Sequence, residues 1–246
     1  MKFILNADDF GRTDEVNDAI VYGFDNGYLS RTTIMVNMPY FEKAVDLSKS
    51  HNFFDKVGLH LNLTSGYPLT DDIKNCKSFV GESGRFNSRI FKSMRLKFFL
   101  TPKEKKSAIK EIDAQIEKFL STGFNLLHAD SHGHIHTFMS LKTIVLKELK
   151  KYGFNSVRIS KNLNVNNIFK KIYKFLINIQ LIKFNNAKKN EIFFGSFINV
   201  NKNYNQLINK KGNTEIMLHP YEFNGEFVIG ERMRYNDIMS FLYRGN

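Results

Sequence analysis

The 246-residue chain is poor in several things, and each shortage excludes something. It has one cysteine, Cys76, so no intrachain disulfide framework can form and the thiol reads as a bystander. It has no long apolar run. Phe3-Ile4-Leu5 is interrupted by Asn6 and Asp8, far short of the roughly 7–15 apolar residues of a signal peptide. No stretch approaches the ~18 apolar residues of a transmembrane helix. A soluble cytoplasmic protein is the expectation. There is no internal repeat and no linker, so a single domain spanning 1–246 is expected. Acidic residues are scarce in two places. Residues 85–106 carry eight Lys/Arg against one acid, and residues 161–211 carry ten Lys against one acid. The net charge of +12 therefore sits in two basic segments, and the rest of the chain is mildly acidic. That distribution argues against a nucleic-acid binder that is basic throughout.

What is present reads as strand then helix, repeated. Residues 2–7, 32–36, 57–63, 125–130, 155–159 and 214–218 read as strands. Thr13 can cap a helix whose first turn holds Asp14 and Glu15, with Val16, Ile20, Val21 and Phe24 at helical spacing. Residues 40–49 also read as helix. Thr101-Pro102-Lys103-Glu104 is a capping box with proline at the first helical position, opening a helix that ends near Gly123. Further helices are expected at 140–152, 165–183 and 235–243. Residues 64–100 look irregular. This alternation predicts an α/β fold with a mostly parallel sheet, open or closed into a barrel. In such folds chemistry gathers at the C-terminal ends of the strands.

The polar, metal-capable residues fall at those ends. Asp8 and Asp9 end the first strand, and His60 lies late in the third. His128, Asp130 and His132 straddle the end of the fourth, with His134 and His136 just after. Arg158 ends the fifth and His219 follows the late strand; of seven histidines only His51 lies elsewhere. Carboxylate and imidazole ligands suit Zn²⁺ or another divalent ion with positions left open. Such an ion lowers the pKa of bound water and polarises a carbonyl. A free carboxylate nearby can act as base, and a histidine opposite can protonate a leaving group. The inventory fits amide or ester hydrolysis, and also metal-assisted phosphoester hydrolysis.

NADDFG at 6–11, GLHLNLTSG at 58–66, HADSHGHIH at 128–136 and EIMLHP at 215–220 resemble the motifs of the YdjC-like carbohydrate deacetylases, which include the ChbG and HpnK proteins. SRTTIMVN at 30–37 and the EIDAQIEKFLSTG helix at 111–123 add to the likeness. The resemblance implies a distorted (β/α) barrel and metal-dependent removal of acetyl from an N-acetylated sugar. It implies Asp9, His60 and His132 as metal ligands, for Mg²⁺ or Zn²⁺ with Mn²⁺ or Co²⁺ as alternatives. It implies Asp8 as general base and His219 as general acid, and by family analogy a homodimer. Adjacent strand residues point to opposite faces, so Asp8 and Asp9 can share a site only where the strand breaks, and Gly11 makes a break plausible. Asp130 and Arg158 are candidates for orienting the ligands or the base. His134 and His136 are candidates for the rim, and His128 for a structural role.

The basic segments 85–106 and 161–211 read as insertions. In IFKKIYKFLINIQLIKF (168–184), Lys170, Lys171, Lys174 and Asn178 share one face, with Ile168, Phe169, Ile172, Phe175, Leu176 and Ile179 around the rest. An outer helix with a solvated lysine face is the plain expectation. Contact with a membrane surface or an anionic or lipid-linked substrate is the sharper one, shared with RIFKSMRLKFFL at 89–100. A non-enzymatic peripheral-membrane or nucleic-acid binder is the competing class, although no nucleic-acid partner is expected.

Overall fold

Strand β1 (Lys2–Phe10) lies inside a sheet whose other strands are β2 (Arg31–Ile34), β3 (Val57–Leu61), β4 (His128–Ser131), β5 (Ser156–Val157), β6 (Ile192–Ser196) and β7 (Asn213–Leu218). The computed structural model describes residues 1–163, 165, 167–230 and 233–242. Among these the strand order is β5-β4-β3-β2-β1-β7-β6, and every neighbouring pair is parallel. Most strand residues are buried, fully so in β3 and β4, as both-face burial in a parallel sheet requires.

The sheet is curled into a half-barrel. Arg158, just past β5, reaches Asp8 on β1 and Glu215 on β7. In a flat sheet β5 and β7 would lie about 24 Å apart, at about 4.8 Å per strand. A single side chain can bridge them only across a closed concavity. This is the distorted (β/α) barrel that the family resemblance implies, where the strand–helix alternation alone leaves the sheet open or closed.

The helices are α1 (Asp14–Asp25), α2 (Phe41–Ser50), the short α3 (Asp71–Lys74), α4 (Arg89–Lys92) and α5 (Met94–Phe98), then α6 (Pro102–Ser121), α7 (Met139–Lys151), α8 (Ile168–Phe184), α9 (Phe197–Lys202), α10 (Tyr204–Leu207) and α11 (Tyr235–Leu242). A hairpin of β8 (Tyr221–Phe223) and β9 (Glu226–Val228) follows β7. The cap of α6 forms as its sequence dictates: Thr101 accepts from the Glu104 N–H, and Glu104 accepts from the Thr101 N–H. The apolar stripe of α6 (Ala108, Ile112, Ile116, Phe119) is buried. Its polar neighbours hold the loop after β3. Glu111 accepts from the Leu69 and Thr70 N–H groups, and Gln115 pairs with both backbone groups of Asn62.

Several boundaries differ from the sequence expectation. The fourth strand begins at His128 rather than 125, and the fifth is only two residues long. Residue 243 of the expected final helix lies outside the described residues. Strand β6 was not expected at all. Its five residues, IFFGS, sit in Asn- and Lys-rich surroundings with no alternation to flag them. Segment 161–211 thus supplies α8 and an edge strand of the sheet, and is woven into the frame.

Candidate metal centre and its surroundings

The site begins with a flaw in β1. Ala7 pairs with Thr32 and Phe10 with Ile34, so β1 carries one residue more than β2 over that interval. This is a bulge, and such extra residues re-aim side chains. Asp9 has φ +69°, a left-handed conformation that Asp tolerates better than most residues. Both Asp8 and Asp9 consequently turn toward His60 in the barrel interior. The break comes at Asp9 itself, two residues before Gly11. Asn17 of α1 steadies the turn by accepting from the Gly11 N–H at 2.7 Å.

Asp9 Oδ1 lies 3.2 Å from His60 Nε2 and 2.8 Å from His132 Nδ1, while Oδ2 takes the Arg12 guanidinium at 2.8 Å. The ligand atoms of Asp9, His60 and His132 all lie within 4.8 Å of one another. One carboxylate and two imidazoles converging on one point fit a divalent ion with open positions. Behind the cluster, His60 Nδ1 meets Asp130 Oδ1 at 2.6 Å and Thr33 Oγ1 at 3.1 Å. That pairing fixes the ring with Nε2 toward the cluster. Burial works against a charged His60, but Asp130 and Asp9 override it and raise its pKa to about 10. A bound cation must displace that proton.

His132 opens a 3-10 segment, His132–Thr137, broken by left-handed Gly133 and His134. A Cβ on Gly133 would sit 2.3 Å from the tip of the Phe91 ring of α4, so a larger residue there would have to displace that ring.

Two other acidic and histidine groups are equally tight among the described residues: Asp8–His60–Asp130 and His128–Asp130–Glu215. Both already contain their counter-ion. Arg158 donates to both oxygens of Asp8 at 2.6 Å, reaches Asp130 Oδ2 at 2.7 Å and bonds Glu215. Arg31 pairs with Glu215 at 2.8 Å. Burial raises the cost of charge on Asp8, yet Arg158 holds its carboxyl well below the usual range. His219 stands across from it, Nε2 3.9 Å from Asp8 Oδ2, with its side chain half exposed at the mouth.

A YdjC-like protein family profile matches residues 2–236. This chain belongs to the YdjC-like family. A carbohydrate deacetylase from Brevibacillus brevis is 37% identical over 152 residues, covering 62% of this chain and 57% of that protein. Another, from Vibrio cholerae, is 40% identical over 153 residues, covering 62% and 56%. The matches thus span less than two thirds of those relatives' own lengths. A crystal structure from Enterococcus faecalis V583, described as a cellobiose-phosphate cleavage protein, superposes with a TM-score of 0.65 at 23% identity, over 91% of this chain and 82% of that one. It shares the fold.

Around the cluster of this YdjC-like chain, the remaining histidines divide by partner. His136 is pinned between Ser131 Oγ and the Arg158 carbonyl, and burial, reinforced by His134, lowers its pKa to about 3. It ties the end of β4 to the end of β5. His128 meets Ser156 at the opposite end of β4. His51 pairs with Asp25, away from the barrel mouth. His134 is also kept neutral, mainly by burial, and its Nδ1 is buried without a partner among the described residues. It faces a cavity of about 530 Å³ that also touches Phe138, Tyr173, Phe194 and Met217. Sequence reasoning missed Arg31, Thr33 and Glu215. Their one signal is a polar side chain within an apolar strand.

Proposed function

We propose that the chain is a metal-dependent hydrolase that removes acetyl from an N-acetylated sugar. The observation that carries this reading is the convergence of Asp9, His60 and His132 beside Asp8, which Arg158 holds, and His219 across from it. Asp9, His60 and His132 would hold the ion, with Zn²⁺ or Mg²⁺ first in line and Mn²⁺ or Co²⁺ as alternatives. When bound, it lowers the pKa of a water and polarises the acetyl carbonyl.

The chain's own groups divide the proton work. Asp8, kept ionised by Arg158, takes a proton from the attacking water. The water oxygen bonds to the acetyl carbon and the carbon–nitrogen bond breaks. His219, open to solvent at the mouth, gives a proton to the departing nitrogen. Acetate and a free amine leave. The kinship with carbohydrate deacetylases supports the sugar as the carrier of the acetyl group.

Metal content by mass spectrometry and acetate release, read on the same samples, test it. The wild type is expected to carry about one divalent ion per chain and lose activity to a chelator. His132→Ala is expected to lose the ion. Asp8→Asn is expected to keep it while acetate release falls by about 10²–10⁴-fold. An Asp8→Asn variant with full turnover would sink the reading.

A further inference from the structure

Helix α8 has two apolar faces. Ile177, Leu181 and Ile182 point into the core, and Asn178 beside them bonds both backbone groups of Ser160. Ile168, Phe169, Ile172, Phe175, Leu176 and Ile179 form a second stripe at helical spacing, and it faces solvent. Phe169 is 78% exposed and Ile168 60%. Of the expected solvated face, Lys170 and Lys171 are exposed while Asn178 is buried, and the outward surface sets those lysines beside the apolar stripe. Phe98 of α5 abuts Tyr173 of α8 at 5.9 Å between ring centroids. Met94 and Phe99 extend the exposed apolar surface there, Phe99 to 73%.

Cations frame this surface. Lys161, Lys171, Lys174 and Lys189 line a groove of about 670 Å³ along α8 together with Phe175 and Ile179, and no carboxylate among the described residues lines it. Lys189 Nζ sits 4.4 Å from the centre of the Phe175 ring. None of these four lysines meets a carboxylate within ion-pair distance among the described residues. Burial, aided by Lys161 and Lys170, lowers the Lys174 pKa, as expected of cations crowded without an anion.

We propose that the α5–α8 face docks on an anionic lipid surface, with the apolar stripe in the headgroup boundary and the lysines on lipid phosphates. A helix lying in a membrane interface needs this pairing of apolar face and basic flank. No helix among the described residues is long and apolar enough to cross a bilayer, so the contact is peripheral. A second copy of the chain fits less well. A two-fold interface must be self-complementary, and this face would set lysine against lysine with no acid between them among the described residues. The 530 Å³ cavity runs from Met94, Phe98 and Tyr173 to Gly133 and His134, so the docking face and the metal-site rim border the same space. The proposal does not depend on the reaction proposed above.

The test is co-sedimentation of the full chain with vesicles of phosphatidylcholine alone, or with about a third phosphatidylglycerol, near physiological salt. The wild type is expected to pellet with the anionic vesicles about tenfold or more over the neutral ones. Phe169→Gln/Ile172→Gln/Leu176→Gln, all at exposed positions, is expected to stay in the supernatant. Lys171→Gln/Lys189→Gln is a second variant that leaves the apolar stripe whole, and it is expected to bind anionic vesicles several-fold more weakly. A wild type that ignores both vesicles would overturn the proposal. So would a triple variant that still pellets, or a two-chain mass by light scattering that the triple variant reduces to one. Acetate release from a soluble N-acetylated sugar, read on the same proteins, separates loss of docking from loss of activity.

Discussion

Asp130 shows at the scale of one residue how the cluster is held. Oδ1 meets His60 Nδ1, while Oδ2 accepts from Thr33 and pairs with Arg158. No oxygen is left over for another partner, so its action on a cation passes through the His60 ring. Asp130→Asn is expected to leave the fold intact and weaken metal affinity by about 10–100-fold. Competition with a chelator of known affinity measures this, and an unchanged dissociation constant would remove Asp130 from the role. Histidines and acids at strand ends are conspicuous in the sequence, and the family resemblance is what singled out Asp9, His60 and His132 among them. The partners of Asp130 and Arg158 were not legible, since a polar residue in a strand does not announce which strand it will face.

At the scale of elements, α6 is the most legible piece of the chain. Its start is written in Thr101, Pro102 and Glu104, and the cap forms as spelled. Arg95 beside Glu104 lowers the carboxyl to about 2 against the opposing effect of burial, with Ser78 and Thr101 assisting. Because the folded-state pKa is depressed, this contribution is present above about pH 4.5 and fades as pH falls toward 2. Glu104→Gln is expected to cost about 1 kcal/mol near neutral pH, allowing for solvent around Arg95. Urea titrations of both proteins should show the difference shrinking below pH 4.5. A pH-independent gap would mean that the cap, and not the charge, carries the effect. Helix α8 is the contrasting case. Its length was legible, but an apolar residue's periodicity says nothing about which of two apolar faces meets the core. Strand β6 was invisible for a related reason, being short and recruited by β7 rather than by its own pattern.

Across the whole molecule, Arg158 closes the half-barrel. It is buried, links Asp8, Asp130 and Glu215, and lies with its guanidinium 4.9 Å from the Phe194 ring centre. Removing it would leave buried Asp8 without its cation and take one counter-ion from Asp130 and from Glu215. Arg158→Met is expected to destabilise the protein by about 3–5 kcal/mol in urea unfolding. A loss below about 1 kcal/mol would show that the ends of the sheet are held elsewhere. The sequence by itself determined the alternation of strands and helices, the parallel sheet it implies, and the residue types gathered at the strand ends, because periodicity and caps are local properties. Only the tertiary structure decided that Asp8 and Asp9 share one interior, that a single arginine serves three strands, and that α8 turns phenylalanine and isoleucine outward. Those outcomes depend on the curl of the sheet and on which neighbour takes each face, and no short stretch of chain encodes either.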